Sequence, residues 1–491
     1  MTFNSIAYLL FFIIVCVVYY ILPHKYRWVL LLAASYFFYM CWNAKYALLM
    51  LFSTAITYLS GILISRQQKK SIKKLFLIIS LVSNLGVLAI FKYFNFFNET
   101  MTRISEMLGF AWNIQNLSFL LPVGISFYTF QALSYSMDIY NNDIQPIRHF
   151  GKYALFVSFF PQLVAGPIER STHLIPQFDK KFMFDYERVK SGLMLIGWGV
   201  LKKLIIADRV AIFVNKVYND MTSYGGSEIA AATVLFAVQI YCDFSAYSDI
   251  ARGSARVLGF DLMKNFNAPY IAKTIRDFWK RWHISLTSWF RDYLYIPLGG
   301  NRVSKFRYYL NLLIVFLVSG LWHGASFTFV IWGALHGIYQ LIGTLTKNIR
   351  GKIRRLLHIP DESKGYRVFQ VLFTFTFVCF AWIFFRANSI SDALHAVKEI
   401  ATIHISDLYS FLFIDGLYNL GINKIEFIVV LFFIALVYCV EILSQRINVL
   451  CNIKKEPLPV RWLVYLALLF SIIIFGKYGG NAISEFIYFQ F

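Results

Sequence analysis

The feature that most constrains this chain is a series of long apolar windows that continues from one end of the sequence to the other. A helix needs about 20 mostly apolar residues to cross the roughly 30 Å hydrocarbon layer of a bilayer, and the chain offers about eleven such windows. Only 15% of the residues are charged, whereas a soluble domain uses about a quarter of its residues as charges. The sequence therefore predicts an all-α, polytopic membrane protein with about eleven transmembrane helices. The windows cover about residues 5–22, 28–42, 46–64, 75–94, 118–138, 152–166, 191–214, 229–248, 309–345, 367–386, 425–445 and 461–478.

Three of these windows carry further expectations. The first is expected to be a retained span and not a signal peptide, because no basic residue precedes it and no small-residue cleavage site follows it. Window 152–166 is short and ends in Ala165-Gly166-Pro167, which favours a re-entrant segment, and window 309–345 is long enough for two helices. The composition predicts a single integral-membrane domain over residues 1–491, with C-terminal helices at about 367–491.

The charge pattern separates membrane contacts from other partners. The formal net charge is +21, and the basic residues form short clusters between the apolar windows, for example from Lys347 to Arg355. Nucleic acid is a poor partner for this pattern, which lacks a continuous basic face. Such clusters are typical of cytoplasmic anchors that anionic lipid headgroups attract. The six cysteines are scattered without a C-x-x-C pair, so no metal site is predicted.

Two histidines are candidates for chemistry. His323 follows a long apolar run, and an ionisable group at that depth indicates a functional site, since burying it is costly. A neutral imidazole can accept a proton near pH 7, and such general-base catalysis is worth about 10²- to 10⁴-fold in rate. The alternative for His323 is a core histidine that forms a hydrogen bond with a neighbouring helix. His283 ends the aromatic and basic run Trp279 to Trp282, which is also typical of an interfacial anchor. His336 would lie on another face of one ideal helix from His323, so we expect it to be structural.

For the acidic residues of the apolar segments, the sequence favours a structural role over catalysis. Asp243 and Asp249 would be costly in lipid and are expected to face the protein interior, where Asp249 has Arg252 at a helical ion-pair spacing. Glu169 in Gly166-Pro-Ile-Glu-Arg170 fits either a charged turn or the second carboxylate of a proton relay. The chain has no G-x-x-x-x-G-K-[ST], G-x-S-x-G or H-E-x-x-H motif. An enzyme built on this sequence would need a site made of dispersed residues.

Several ordered blocks with fixed spacing support a more specific interpretation. They are Gly166 to Arg170, Asp243 to Asp249, Asn265 to Tyr270, Asp277 to Ser285, Trp289 to Arg302, Gly320 to Gly324 and Phe486 to Phe491. In these blocks the chain resembles the membrane-bound O-acyltransferases, and within them the bacterial branch of alginate and polysaccharide O-acetyltransferase membrane subunits. The resemblance implies helices with re-entrant or loop segments around a funnel or tunnel that crosses the bilayer, with the catalytic core at about residues 120–345.

The resemblance also implies roles for particular residues. His323 matches the near-invariant histidine of the family and would act as the general base, and His283 matches the second histidine of the bacterial branch. Four further residues would contact the donor or line the tunnel: Trp282, Arg291, Asn301 and Trp322. The acyl donor would be acetyl-CoA or another pantetheine thioester, used as a substrate and not held as a tightly bound cofactor.

The function implied is O-acetylation of an exported polysaccharide, either an alginate-like exopolysaccharide or a cell-wall glycan. An acetyl group would leave a cytoplasmic thioester and cross the bacterial cytoplasmic membrane, with an extracytoplasmic acetyltransferase partner completing the transfer. Two alternatives remain: a transporter or flippase for a sugar or acylated intermediate, and a protein that transfers D-alanine to teichoic acid. The absence of an internal repeat and the local histidine blocks favour the enzyme over the transporter.

Overall fold

The computed structural model describes most of the chain. The described residues are 1–164, 166–360, 363–404, 406, 407, 409, 411, 421, 423–447, 449–478, 486 and 487. Two features used in the sequence analysis extend beyond them: Ala165 of the short window, and residues 488–491 of the terminal block.

Every regular element among these residues is helical, as the composition predicted. The first nine helices are α1 (Ile6–Ile21), α2 (His24–Met40), α3 (Tyr46–Arg66), α4 (Lys70–Leu88), α5 (Phe94–Leu108), α6 (Ile125–Tyr140), α7 (Phe150–Ser158), α8 (Ser171–Phe178) and α9 (Tyr186–Leu201). The others are α10 (Asp208–Asn219), α11 (Gly226–Leu258), α12 (Ile275–Arg281), α13 (Ile284–Phe290), α14 (Lys305–His323), α15 (Phe327–Leu345), α16 (Lys347–Leu356), α17 (Lys364–Arg386), α18 (Ile390–Ala401), α19 (Lys424–Ser444), α20 (Val449–Lys455) and α21 (Leu458–Phe475). Three π-helical segments, Ala89–Tyr93, Lys202–Ala207 and Arg291–Tyr295, interrupt or extend them.

Eight helices in the described part are long and apolar enough to cross a membrane. They are α3, the continuous stretch Lys70–Leu108, α11, α14, α15, α17, α19 and α21, and α1 is a shorter apolar helix of 16 residues. Window 309–345 forms two helices, as its length indicated. The expected number of eleven spans and the tunnel remain predictions.

The chain forms two compact units. The first comprises Met1–Ile196 with Tyr247–Met263, and the second comprises Gly197–Ala246 with Lys264–Phe491. In the first unit α3 packs against α6 at Gly61, where a Cβ would lie 2.7 Å from the Tyr135 ring, so only glycine permits this approach. Helix α7 has nine residues, too few at 1.5 Å each to cross a bilayer, and residues 153–158 are buried. That window 152–166 re-enters the membrane remains a prediction.

In the second unit, the hairpin of α14 and α15 positions the end of α14. Ser304 caps α14 by accepting from the Arg307 N–H at 3.4 Å, and Ser326 caps α15 by accepting from the Thr328 N–H at 3.3 Å. The two helices cross at Gly320 and Gly333, where a Cβ on either would overlap a backbone carbonyl oxygen of the other helix. This close crossing places His323, the last residue of α14, inside the unit.

Candidate active site

His283 and His323 lie far apart in the sequence but meet in the second unit. Their ring centroids are 6.5 Å apart, with an interplanar angle of 66°. His283 is 0% exposed and His323 is 3% exposed. The sequence predicted both as site residues, and the structure brings them together.

An aromatic cage surrounds the two imidazoles. Phe244 of α11 packs edge-on against His283 at 4.7 Å between ring centroids. Trp322 contacts both histidines, at 6.0 Å from His283 and 4.9 Å from His323. Trp332 of α15 lies 5.0 Å from His323, and Phe385 of α17 lies 5.4 Å from it. The site is therefore lined by apolar rings, which strengthen the electrostatic interactions made inside it.

The backbone at His283 is unusual for a residue with a side chain. It forms the junction of α12 and α13 with φ 43° and ψ 54°, in the left-handed region. Burial lowers the pKa of His283 well below its usual range, so this imidazole is neutral at physiological pH. A neutral imidazole has one donor and one acceptor nitrogen, which suits it to orienting or relaying a proton.

The other predicted residues lie in three places. Trp322 lies with the histidines, whereas Trp282 stacks on Phe278 at 5.5 Å and packs against Trp382 at 5.2 Å. Arg291 and Asn301 line a separate cleft of about 530 Å³.

That cleft is basic. Its walls also include Arg276, Lys305 and two tyrosines, Tyr295 and Tyr308. The π-helical segment Arg291–Tyr295 presents two of these side chains, and a turn with left-handed Gly299 and Gly300 presents Asn301. Asn311 fixes this turn, because its side-chain amide donates to the Leu298 and Gly300 carbonyls at 3.1 and 3.2 Å. Three cations, two tyrosine hydroxyls and one side-chain amide match a phosphate-bearing ligand, although Arg291 also pairs with Asp292 at 2.7 Å. The volume lies in the usual range of small-molecule sites.

Sequence reasoning missed several of these residues. Arg276 and Lys305 carry no local signal except their charge, and Phe244 and Trp332 are apolar residues inside spans. The comparison of His336 with His323 on one ideal helix was wrong, because the chain breaks at Gly324 and His336 belongs to α15. His336 lies 5.1 Å from Trp332, and its Nδ1 accepts from the Trp279 indole N–H at 3.2 Å.

The scaffold expected around Asp243 is present. Its carboxylate pairs at 2.8 Å with Lys203, which also pairs with Asp208 at 2.8 Å, and all three side chains are buried. The second carboxylate oxygen accepts from the Ile487 N–H at 2.8 Å, and Phe486 packs on Phe244 at 5.8 Å. Asp249 pairs with Arg252 at 3.5 Å, as its spacing predicted.

Glu169 makes its contacts within the first unit. It is 0% exposed, accepts from the Met263 N–H at 2.5 Å and from His173 Nδ1 at 2.8 Å. Burial raises the pKa of Glu169, and the carboxylate raises the pKa of His173. The pair ties helix α8 to the end of the segment Tyr247–Met263, which is the behaviour of a structural contact.

The class defined by these features is a multi-pass helical membrane protein with a caged histidine pair. The family model of the membrane-bound O-acyltransferases matches residues 147–385. The peptidoglycan O-acetyltransferase of Helicobacter pylori is 38% identical over 394 residues, which cover 75% of this chain and 72% of that protein. The probable alginate O-acetylase AlgI of Pseudomonas aeruginosa is 37% identical over 413 residues, or 83% of this chain and 77% of that protein. The teichoic acid D-alanyltransferase of Bacillus subtilis is 27% identical over 294 residues, or 55% of this chain and 69% of that protein.

The chain belongs to the membrane-bound O-acyltransferase family and is an acyltransferase enzyme. The resemblance identified from the sequence blocks is confirmed. The matched residues 147–385 include both histidines, the basic cleft and the α14–α15 hairpin. Membership also decides between enzyme and transporter in favour of the enzyme.

Proposed function

We propose that this protein moves an acetyl group from acetyl-CoA, bound on the cytoplasmic side of the bacterial cytoplasmic membrane, for O-acetylation of an exported polysaccharide or cell-wall glycan. The single observation that carries the proposal is the His283–His323 pair in its aromatic cage. Two similar proteins named for O-acetylation cover three quarters or more of this chain, whereas the D-alanyltransferase covers 55%. Acetyl transfer is therefore favoured over D-alanyl transfer.

His323 is the general base in this mechanism. Its imidazole takes the proton of an acceptor hydroxyl while the hydroxyl oxygen attacks the thioester carbonyl carbon. The carbon–sulfur bond then breaks, the CoA thiolate leaves, and the imidazolium returns the proton to the sulfur. His283 is neutral and positions the thioester or relays this proton, and Trp322 packs against both rings. An extracytoplasmic acetyltransferase completes delivery to the polymer.

The basic cleft holds the phosphates of the donor. Arg276, Arg291 and Lys305 supply the positive charge, and Asn301 adds a polar contact. Trp282 supports the site through its packing on Phe278 and makes no direct donor contact in this scheme.

Thioester turnover tests the chemistry. Purified protein in nanodiscs is given labelled acetyl-CoA, and release of the free CoA thiol is compared between wild type and His323→Ala. We expect the variant to lose at least about 100-fold in turnover. His336→Ala is the matched control, because it removes another fully buried imidazole of the same unit and should keep turnover. Equal turnover by wild type and His323→Ala would remove His323 from the mechanism.

Donor binding is tested with a pair of substrates. Arg276→Gln and Lys305→Gln should raise the KM for acetyl-CoA about tenfold and leave kcat unchanged, because the cleft binds phosphate away from the reacting carbonyl. Acetyl-pantetheine lacks the nucleotide phosphates, so its KM should not respond. Arg302→Gln is the control, because this exposed cation is a neighbour in sequence that is not part of the cleft lining. A KM increase of the same size with both substrates would contradict a phosphate site.

A further inference from the structure

The left-handed backbone of His283 requires an explanation from its surroundings. Residues with a Cβ rarely adopt φ near +43°, and this one does so with its ring fully buried beside His323. The conformation persists only where neighbouring groups enforce it. The groups that enforce it set the position of the His283 ring.

Asn265 makes three of the hydrogen bonds beside His283. Its backbone carbonyl accepts from the Ile284 N–H at 2.9 Å. Its side-chain oxygen accepts from the Ser285 N–H at 3.2 Å and from the Ser285 hydroxyl at 2.6 Å. Asn265 is 1% exposed and Ser285 is 0% exposed, so water does not replace these bonds.

These bonds cap helix α13 from outside the helix. The first amides of a helix have no partner within it, and the residue before the helix usually supplies one from its side chain. His283 occupies that position and makes no side-chain cap bond. Asn265 accepts from the first two amides of α13 instead, which leaves the imidazole of His283 directed into the aromatic cage.

The chain before His283 is held by the same segment. The Asn267 N–H donates to the Arg281 carbonyl at 2.9 Å, and the Arg281 guanidinium donates to the Asn267 carbonyl at 3.2 Å. Lys264 and Gln445 donate to the Asn267 side-chain oxygen at 2.8 and 2.9 Å. Phe266, between the two asparagines, packs on Phe244, which is the ring that contacts His283. Residues 265–267 therefore bind the backbone on both sides of Trp282 and His283.

We propose that Asn265 is a positioning residue for His283: its side-chain oxygen caps α13 from outside and holds the imidazole against His323. The proposal rests on the proposed function for its kinetic consequence only. Loss of the Asn265 oxygen lets the His283 backbone relax toward ordinary φ values, and the ring then moves relative to His323. A displacement of about 1 Å at a reacting geometry costs about 100-fold in rate.

The first test measures the position of His283 without turnover. Full-length protein in nanodiscs is treated with diethylpyrocarbonate, and modification of His283 and His323 is followed by mass spectrometry. We expect Asn265→Ala to speed modification of His283 at least about tenfold while His323 changes little. Ser285→Ala, which removes only the 2.6 Å hydroxyl bond, should give a smaller increase. Asn265→Asp keeps the acceptor oxygen at a helix N-terminus, where a carboxylate is favoured, and should restore protection.

A matched control separates positioning from general loosening. Thr233 is a buried polar residue of α11 whose hydroxyl forms a hydrogen bond with that of Tyr218 at 2.8 Å. It lies ten positions before Asp243 on the same helix, so the two residues are about 15 Å apart along the helix axis. Thr233→Val should lower Tm without changing the modification of His283. Unchanged protection of His283 in Asn265→Ala would overturn the proposal, and so would an equal increase at His283 and His323.

The second test adds the kinetic readout. Asn265→Ala should lower kcat for acetyl-CoA about 100-fold with an unchanged donor KM, and Asn265→Asp should recover most of it. An unchanged kcat in a variant whose His283 has lost protection would overturn the link between position and rate. If wild type transfers no acetyl group, the proposed function fails, while the modification experiment still decides whether Asn265 positions His283.

Discussion

A buried charge in the second unit is compensated by partners of opposite charge. Lys203 is 0% exposed and is compensated by Asp208 and Asp243 together. Breaking such a buried group by removing one partner is strongly destabilising, by about 3–5 kcal/mol, because the other charges stay buried. The carboxylates of Asp208 and Asp243 therefore neutralise a buried charge in the second unit, which is a structural role.

The pair of Glu169 and His173 predicts a pH dependence at the residue scale. Both pKa values are raised in the folded state, Glu169 by burial and His173 by its bond to that carboxylate. The folded protein then binds more protons at this pair than the unfolded chain does. His173 therefore stabilises the folded state fully below about pH 6.5, and this stabilisation is lost as the pH rises through the raised pKa of His173. His173→Gln should therefore flatten the fall of Tm between about pH 6 and 8.

Thermal unfolding of both proteins across this range measures the difference. His404→Gln, which changes an exposed histidine, should keep the wild-type slope. A slope in His173→Gln as steep as that of wild type would show that the pair does not contribute in this way.

Single residues also show what the sequence can and cannot provide. The depth of His323 in an apolar run makes it a candidate functional residue, because an ionisable side chain is costly there. The cage needs Phe244 and Phe385, which are ordinary apolar residues in α11 and α17, and no local pattern distinguishes them from lipid-facing neighbours. Asn265 is likewise a polar loop residue whose three hydrogen bonds to Ile284 and Ser285 depend on the folded structure, so the sequence alone does not reveal them.

At the scale of elements, helix positions were predictable and helix crossings were not. Apolar windows locate α3, α14, α15 and α17 because length and composition decide whether a helix can cross a bilayer. The crossing of α14 with α15 depends on Gly320 and Gly333 facing each other, a coincidence between two helices that periodicity does not reveal. In membranes, such small residues allow the close backbone approach that holds helices together.

This crossing carries a prediction for the element. Gly320→Ala and Gly333→Ala each place a Cβ against a backbone carbonyl that a side-chain rotation cannot move. We expect each to destabilise the protein by about 1–3 kcal/mol and to lower acyl transfer, because the end of α14 carries His323. Tm and CoA thiol release measure the two effects.

Gly343→Ala is the control on the same helix. A Cβ at this position meets nothing within 4 Å, so alanine is accommodated and its better helix propensity gains up to about 1 kcal/mol. Equal losses in Gly333→Ala and Gly343→Ala, which lie on α15 together, would mean that helix flexibility, and not the crossing, is what the glycines provide.

For the whole molecule, the net charge of +21 favours contact with an anionic membrane surface. Helix α16 lies in sequence between the spans α15 and α17. It has the two features of an interfacial helix, an apolar face and a basic face. Ile349, Ile353 and Leu356 form one apolar stripe and are 57%, 50% and 77% exposed, whereas the basic residues of the helix occupy the other faces. This distribution fits a helix that lies in the headgroup region with its apolar stripe toward the acyl chains.

Anionic lipid should therefore stabilise the protein through α16. Tm in nanodiscs should be higher with phosphatidylglycerol than with phosphatidylcholine alone, because each cation near an anionic surface contributes about 1 kcal/mol. The double variant Lys352→Gln with Arg355→Gln should lose a large part of this difference, and high salt should reduce it in wild type. Lys180→Gln with Lys181→Gln removes the same charge from an exposed loop and should lose less. If the two double variants respond equally, net charge alone sets the lipid preference and α16 has no special part in it.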